Sequence, residues 1–209
     1  MTQPGDVHVL GIAFLLCRED SPHVGRWVHR VYPLAPPPRG PMAALRRHKK
    51  FSESNARQSI PTYRPGHRLN SGTFGYMGVG VPFGIGAKVA RPESPVLVLH
   101  GDGSFGMNCM EIQTALRHNL PFVTLISNNG GWTARAADAP DRPPGYFLGF
   151  SHYELLVEAL GGYGECVTSA EEIKPALRRA FESGKAACIN VMTAPVAATT
   201  AGFGGYEAV

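Results

Sequence analysis

Two short apolar runs, PVLVLH (95–100) and FVTLIS (122–127), each stop at a polar, glycine-bearing knot, GDGS (101–104) and NNGG (128–131). Few folds accommodate that pairing. An unbroken apolar run of this length reads as a strand covered on both faces, the usual condition of a parallel sheet. Between the runs, NCMEIQTALRH (108–118) sets Met110, Ile112, Ala115 and Leu116 at roughly helical spacing. A helix there returns the chain, so both knots fall at the same edge of one sheet. The alternation continues with a helix at 152–161, a brief strand at 165–168, a helix at 169–184 and a strand at 187–193. The 169–184 helix opens on the capping-box pattern Ser169-x-x-Glu172. Upstream, GYMGVGVPFGIGAKVA (75–90) reads as a Gly-rich helix. Each glycine costs roughly 1 kcal/mol of helix stability relative to Ala, so close packing against a neighbour is expected. The fold class is therefore α/β, a mainly parallel sheet with helices on both faces.

Composition narrows the function classes. The 209 residues are 44% hydrophobic and 17% charged, which suits a globular chain. Cys17, Cys109, Cys166 and Cys188 are scattered with no CxxC pair. This argues against a structural zinc site or a disulfide framework and fits a reducing cytoplasm. The longest apolar run, 7–17, is too short to span a bilayer and has no Lys or Arg before it, so neither membrane insertion nor a signal peptide is expected. Residues 1–52 carry eight Lys/Arg against three acids, and the remainder twelve against thirteen. The basic excess sits in RRHKK (46–50), where a solvated tail is favoured over a nucleic-acid patch because no aromatic interleaving accompanies it. The pattern becomes regular only after about residue 55. Residues 1–56 are accordingly read as an atypical Pro-rich basic segment, whose order is left open beyond a strand or short helix at 7–17. Residues 57–209 are read as the binding domain.

Ligands of such sheets sit at the carboxyl ends of the strands. Asp102 and Asn129 would face one small volume there. Their oxygens are hard ligands of the kind Mg²⁺ takes, and Mg²⁺ completes its octahedron with water and phosphate oxygens. Gly101, Gly103 and Gly106 would let the backbone approach a bulky anion, and the following helix would present free N–H groups. The residues thus describe a Mg²⁺-bridged diphosphate cradle. A rival is open: Gly101-Asp-Gly103-Ser-Phe-Gly106 is formally the GxGxxG of NAD- or FAD-binding domains. That reading needs an acid near the end of the next strand, where Ser127, Asn128 and Asn129 stand instead. Ordinary turns are a second alternative.

GDGS, then 23 residues, then NN resembles the diphosphate-binding motif of thiamine-diphosphate-dependent enzymes. The resemblance runs from about Arg57 to at least Thr193. Within that family, NSGTFGYMGVGVPFGIGAKVA (70–90) is similar to the corresponding segment of acetolactate synthases, oxalyl-CoA decarboxylases and 2-hydroxyacyl-CoA lyases. The resemblance implies a thiamine-diphosphate-binding fold with thiamine diphosphate and Mg²⁺ as cofactors. It implies metal ligation by Asp102, Asn129 and the Gly131 carbonyl, with Gly103 and Ser104 on the diphosphate. Met77 would be the apolar wedge that holds the cofactor bent, and the Gly75 carbonyl would meet the aminopyrimidine. The bend brings an intramolecular base to the thiazolium carbon. Asn128 is expected to order the loop rather than touch metal. Glu111, His67, His100 and His118 are expected to be structural or surface groups. Trp132 and the loop 130–149 are read as a cover for the cofactor, with disorder the alternative for a loop of this length.

The family completes its site with a pyrimidine-binding domain that supplies an activating glutamate. No counterpart is legible in residues 1–56, and neither Glu19 nor Glu53 takes the role, so the catalytic residues are unassigned. The expected function is the diphosphate half of a decarboxylase, lyase or carboligase acting on 2-oxo acids or 2-hydroxyacyl-CoA, incomplete without a pyrimidine domain. Homo-oligomerisation or a separate pyrimidine-domain subunit is expected. A truncated copy, favoured by the change near residue 55, and a non-catalytic cofactor-binding module are the alternatives.

Overall fold

A computed structural model describes residues 67–70, 76–132, 145 and 147–193 with their side chains, and the backbone of residues 11–15. Eleven elements are described. In chain order they are β1 (Gly11–Leu15), β2 (Arg68–Leu69), α1 (Gly80–Ala90), β3 (Val96–Gly101), α2 (Asp102–Asn108), α3 (Glu111–Arg117), β4 (Val123–Asn128), α4 (Tyr153–Ala159), β5 (Tyr163–Val167), α5 (Ala170–Glu182) and β6 (Ala187–Met192).

The strands form one sheet in the order β2-β1-β3-β4-β6-β5. β3, β4, β6 and β5 run parallel, and the first three are buried along nearly all their length, in keeping with their apolar composition. β1 adds an antiparallel strand beside β3, and β2 pairs antiparallel with β1. Residues 11–15 thus lie in the sheet although they fall within the basic N-terminal segment.

Alternate side chains of the parallel strands feed two cores. Leu97, Leu99, Val123, Leu125, Ile189 and Val191 pack on the Ile173, Ala176 and Ala180 face of α5. On the opposite face, Val96, Val98, Ile126 and Cys188 pack with Val81 of α1, Phe105 of α2, Ile112 and Ala115 of α3 and Val157 of α4. Helices therefore cover both faces, and the strands can be apolar along their length. Among the described residues no helix is long and apolar enough to cross a membrane.

The glycine-rich segment is helical only from Gly80 onwards. Its glycines answer to close packing at two positions. A Cβ on Gly80 would meet His100 Nε2 at 2.3 Å, and one on Gly84 would meet Val98 Cγ2 at 2.9 Å. These positions are one helical turn apart and let α1 lie down on β3. Gly86 faces open space, so packing does not account for it. The helix expected at 108–118 is α3, over 111–117; a further helix, α2, begins directly at Asp102 and is separated from it by a turn at Cys109–Met110. Ser169 precedes α5 in extended conformation, as an N-cap should, but makes no side-chain capping bond.

Candidate functional site

The register of β3 against β4 places Gly101 beside Ser127. One residue on, β3 turns into α2 at Asp102 and β4 ends at Asn128. The two knots therefore meet because the strands end at the same level, though 27 positions separate Asp102 from Asn129. Asp102 is only 2% exposed, and its Oδ2 has no hydrogen-bond partner. Burial raises its carboxyl to about 6 from an ordinary 3.8, opposed by the backbone N–H groups of Gly103, Gly131, Asp102 and Gly130.

Asn129 points its amide into the same volume. Its Oδ1 accepts the Gly131 N–H at 3.3 Å. The inward amide atom also lies 2.8 Å from the Gly131 carbonyl oxygen and 3.2 Å from Asp102 Oδ1. Two orientations of that amide are chemically sensible. With nitrogen inward it donates to both oxygens; with oxygen inward, three oxygens converge. Adjacent ligands of an octahedral Mg²⁺, each 2.0–2.1 Å from the ion, stand about 3 Å apart. The inward-oxygen arrangement therefore has the lengths of two octahedral edges that meet at the Asn129 oxygen. Asp102, Asn129 and Gly131, the three expected ligands, are brought together. The set contains one carboxylate and no His or Cys, which suits a hard cation.

Gly101 and Gly103 have different surroundings. A Cβ on Gly101 would meet nothing within 4 Å, so the backbone at the end of β3 borders open space. A Cβ on Gly103 would sit 2.8 Å from the Trp132 ring. Trp132 thus lies on the first turn of α2, and only a glycine fits beneath it. Gly106 is exposed. The Ser104 hydroxyl accepts the Gly78 N–H at 3.0 Å and lies 3.1 Å from His100 Nδ1. Met77 is half-buried and directly precedes Gly78. Gly75 and loop residues 133–144 lie outside the described residues.

Behind the oxygens stands a buried polar network that sequence reasoning missed in part. Asn128 is fully buried, accepts the Gly130 N–H at 3.2 Å and donates to Ser151 O at 2.9 Å and Asn190 Oδ1 at 3.2 Å. It orders the loop, as expected of it. Asn190 donates to Ser151 O at 3.0 Å and to Glu154 Oε2 at 2.6 Å, and Glu154 Oε1 lies 2.6 Å from His152 Nδ1. The Gly130 carbonyl accepts the N–H groups of Leu148 and Gly149, and Gly131 bridges to Phe147. These bonds fix the backbone from which the Gly131 carbonyl projects. The polar Asn190 within ACINVMT was a signal for this network. Nothing in YELLVEAL marks Glu154 as buried.

The expected structural histidines are accounted for individually. His100 is buried against the Phe105 ring edge, with centroids 5.8 Å apart. His67 lies 3.2 Å from an Arg91 nitrogen, and His118 is exposed at the end of α3.

The fold is an α/β domain that gathers the Asp102, Asn129 and Gly131 oxygens and an open glycine at adjoining ends of its parallel strands. Residues 52–191 match the family model described as thiamine pyrophosphate enzyme, C-terminal TPP binding domain. With more than half its length matched, the chain belongs to the thiamine pyrophosphate enzyme family through that domain. It is 42% identical over 151 residues to a probable acetolactate synthase of Mycobacterium bovis, covering 68% of this chain and 27% of that one. It is 40% identical over 154 residues to oxalyl-CoA decarboxylase of Escherichia coli, covering 71% and 27%. Among solved structures, the thiamine diphosphate-dependent 4-hydroxybenzoylformate decarboxylase of Rhodococcus jostii matches with a TM-score of 0.51 and 28% identity, over 58% of this chain and 24% of that one. The chain thus spans about a quarter of the length of the curated relatives it matches.

Proposed function

We propose that this chain forms the Mg²⁺-diphosphate half of a thiamine-diphosphate-dependent enzyme that makes or breaks a carbon–carbon bond next to a carbonyl. The observation that carries the reading is the convergence of Asp102, Asn129 and Gly131. A buried carboxylate oxygen without a partner costs free energy that a divalent cation would recover. In this reading Asp102, the Asn129 amide oxygen and the Gly131 carbonyl hold Mg²⁺. The backbone of Gly101, Gly103 and Ser104 borders the diphosphate. Met77 and Gly75 take the wedge and aminopyrimidine roles that the family resemblance implies. Thiamine diphosphate, when bound, supplies a carbon nucleophile and then an electron sink for C–C cleavage. The chain's own part is to orient the diphosphate and, through Trp132, to keep water from the first turn of α2.

The substrate class follows the relatives: a 2-oxo acid, as acetolactate synthase-like chemistry takes, or an acyl-CoA, as in oxalyl-CoA decarboxylase. Residues 57–209 act as the binding domain, to which β1 adds a strand. A pyrimidine-binding surface, from a second copy or another subunit, completes the site. Tyr76 at 64%, Met107 at 51% and Met110 at 58% exposure are large apolar groups that such a partner would cover. The free cysteines Cys109, Cys166 and Cys188 fit a reducing cytoplasm.

Isothermal titration of thiamine diphosphate in the presence and absence of Mg²⁺, with Asp102→Ala alongside, tests the reading. Metal-dependent binding lost in the variant is expected. Metal-independent binding, or binding unaffected by Asp102→Ala, would sink it.

A further inference from the structure

Gly78 is held from three sides by one helix. Its N–H donates to Ser104 Oγ at 3.0 Å, and its carbonyl accepts from Asn108 Nδ2 at 3.1 Å. Ser104 and Asn108 are four residues apart and so share a face of α2. Between them Met107 closes the third side: a Cβ on Gly78 would lie 2.9 Å from Met107 Cβ and 2.9 Å from Asn108 Nδ2. Gly78 has φ +82°, a conformation that other residues rarely adopt. Ser104 is itself braced, 3.1 Å from His100 Nδ1, and is 2% exposed. In the tautomer with its proton on Nε2, His100 accepts the Ser104 proton, leaving the hydroxyl oxygen free to accept from Gly78.

From this we infer that Ser104 and Asn108 are positioning residues: they clamp Gly78 and thereby fix Met77, tying the wedge to the helix that begins at the metal ligand Asp102. The clamp rests on the proposed cofactor reading. Without the two side-chain bonds, nothing else described from α2 holds the main chain of Gly78. The helix that meets the diphosphate at its first turn thus sets the height of the apolar side chain at its second. Ser104 acts on the ring end of the cofactor through Gly78 and Met77, while its hydroxyl does not face the diphosphate.

The experiment compares affinities of the full chain for thiamine diphosphate and for inorganic diphosphate, both with Mg²⁺, in wild type, Ser104→Ala, Asn108→Ala and Met77→Ala. Losing one such bond should weaken thiamine diphosphate about tenfold and leave inorganic diphosphate within about twofold. Asn108→Ala added to Met77→Ala should cost nothing further, since the clamp acts through Met77. In ligand-free protein, Gly78 amide exchange should quicken in Ser104→Ala and the Met77 methyl resonance should shift. Asn108 is exposed, so its variant serves should Ser104→Ala fail to fold. Equal loss for both ligands, additive losses, or an unmoved Met77 methyl would overturn the clamp. A wild-type chain without preference for thiamine diphosphate over inorganic diphosphate would overturn the cofactor reading beneath it. A wild-type preference that survives both clamp substitutions would overturn the clamp alone.

Discussion

The inward amide atom of Asn129 lies 3.2 Å from Asp102 Oδ1, across the gap between the ends of two parallel strands. That distance makes the Asn129 amide a reporter of what occupies the site. Nitrogen inward, it donates to Asp102 Oδ1 and leaves Oδ2 without a partner; oxygen inward, the converging oxygens call for a cation. Asn129→Asp should therefore raise Mg²⁺ affinity or leave it unchanged, while destabilising the metal-free chain by placing two carboxylates together. Thermal denaturation with Mg²⁺ and with chelator checks this: the gap between the two melting temperatures should widen.

Asp102 gives the pH dependence. Its folded carboxyl titrates at about 6 and its unfolded one near 3.8. The folded chain therefore holds this proton more tightly, and stability falls as pH rises from about 4 to 6, by on the order of 3 kcal/mol in all. Asp102→Asn should remove that cost, so its stability advantage over wild type should grow between pH 4.5 and 7.5 in urea melts with chelator present. Metal binding runs the other way. A cation needs the carboxylate, so its affinity should fall about tenfold per pH unit below about 6.

Trp132 offers an optical readout. Its ring lies where a Gly103 Cβ would be, so Gly103→Ala must displace it. Expected is a red-shifted Trp132 emission in a Trp27→Phe background and at least tenfold weaker thiamine diphosphate binding. An unshifted spectrum would mean the ring does not rest on the first turn of α2.

Two glycines of α1 should respond oppositely to the same substitution. Gly80→Ala drives a methyl into His100 and Val98 and should cost about 1–3 kcal/mol. Gly86→Ala meets nothing and should gain roughly 1 kcal/mol of helix propensity. Denaturant midpoints of the two variants decide it.

Asn190→Ala should cost about 2–3 kcal/mol, because it leaves the buried Glu154 carboxylate without its 2.6 Å donor. It should also weaken metal binding by loosening the backbone around Gly131. Urea melts and Mg²⁺ titration of the same variant check both effects.

Much of this was legible in the chain because its signals were local. Two apolar runs ending in GDGS and NNGG mark strand ends, and strand ends at one level bring Asp102 and Asn129 together; Gly131 entered through the family resemblance. What escaped depended on tertiary direction. Nothing in GDGS tells whether the Ser104 hydroxyl turns to the strand end or back beneath Gly78, since both are one rotamer apart. Glu154 has the surroundings of a surface helix residue in sequence, and it is buried because α4 packs on β5 and on the Asn190 strand β6. The capping pattern at Ser169 was read correctly as a helix start, yet its side chain forms no cap, because extended backbone alone suffices to begin α5. The start of α2 at Asp102 was hidden by two glycines and a serine, which rank low in helix propensity.

The bridge between Gly131 and Phe147, with the Gly130 carbonyl tied to Leu148 and Gly149, fastens the two ends of the intervening loop to each other. Whatever lies between those ends can lengthen, shorten or drift in sequence without moving the carbonyl at its root. Divergence in what the loop contacts is thereby uncoupled from the atoms it leaves behind, and related chains can inherit one anchoring scheme while exploring different chemistry above it.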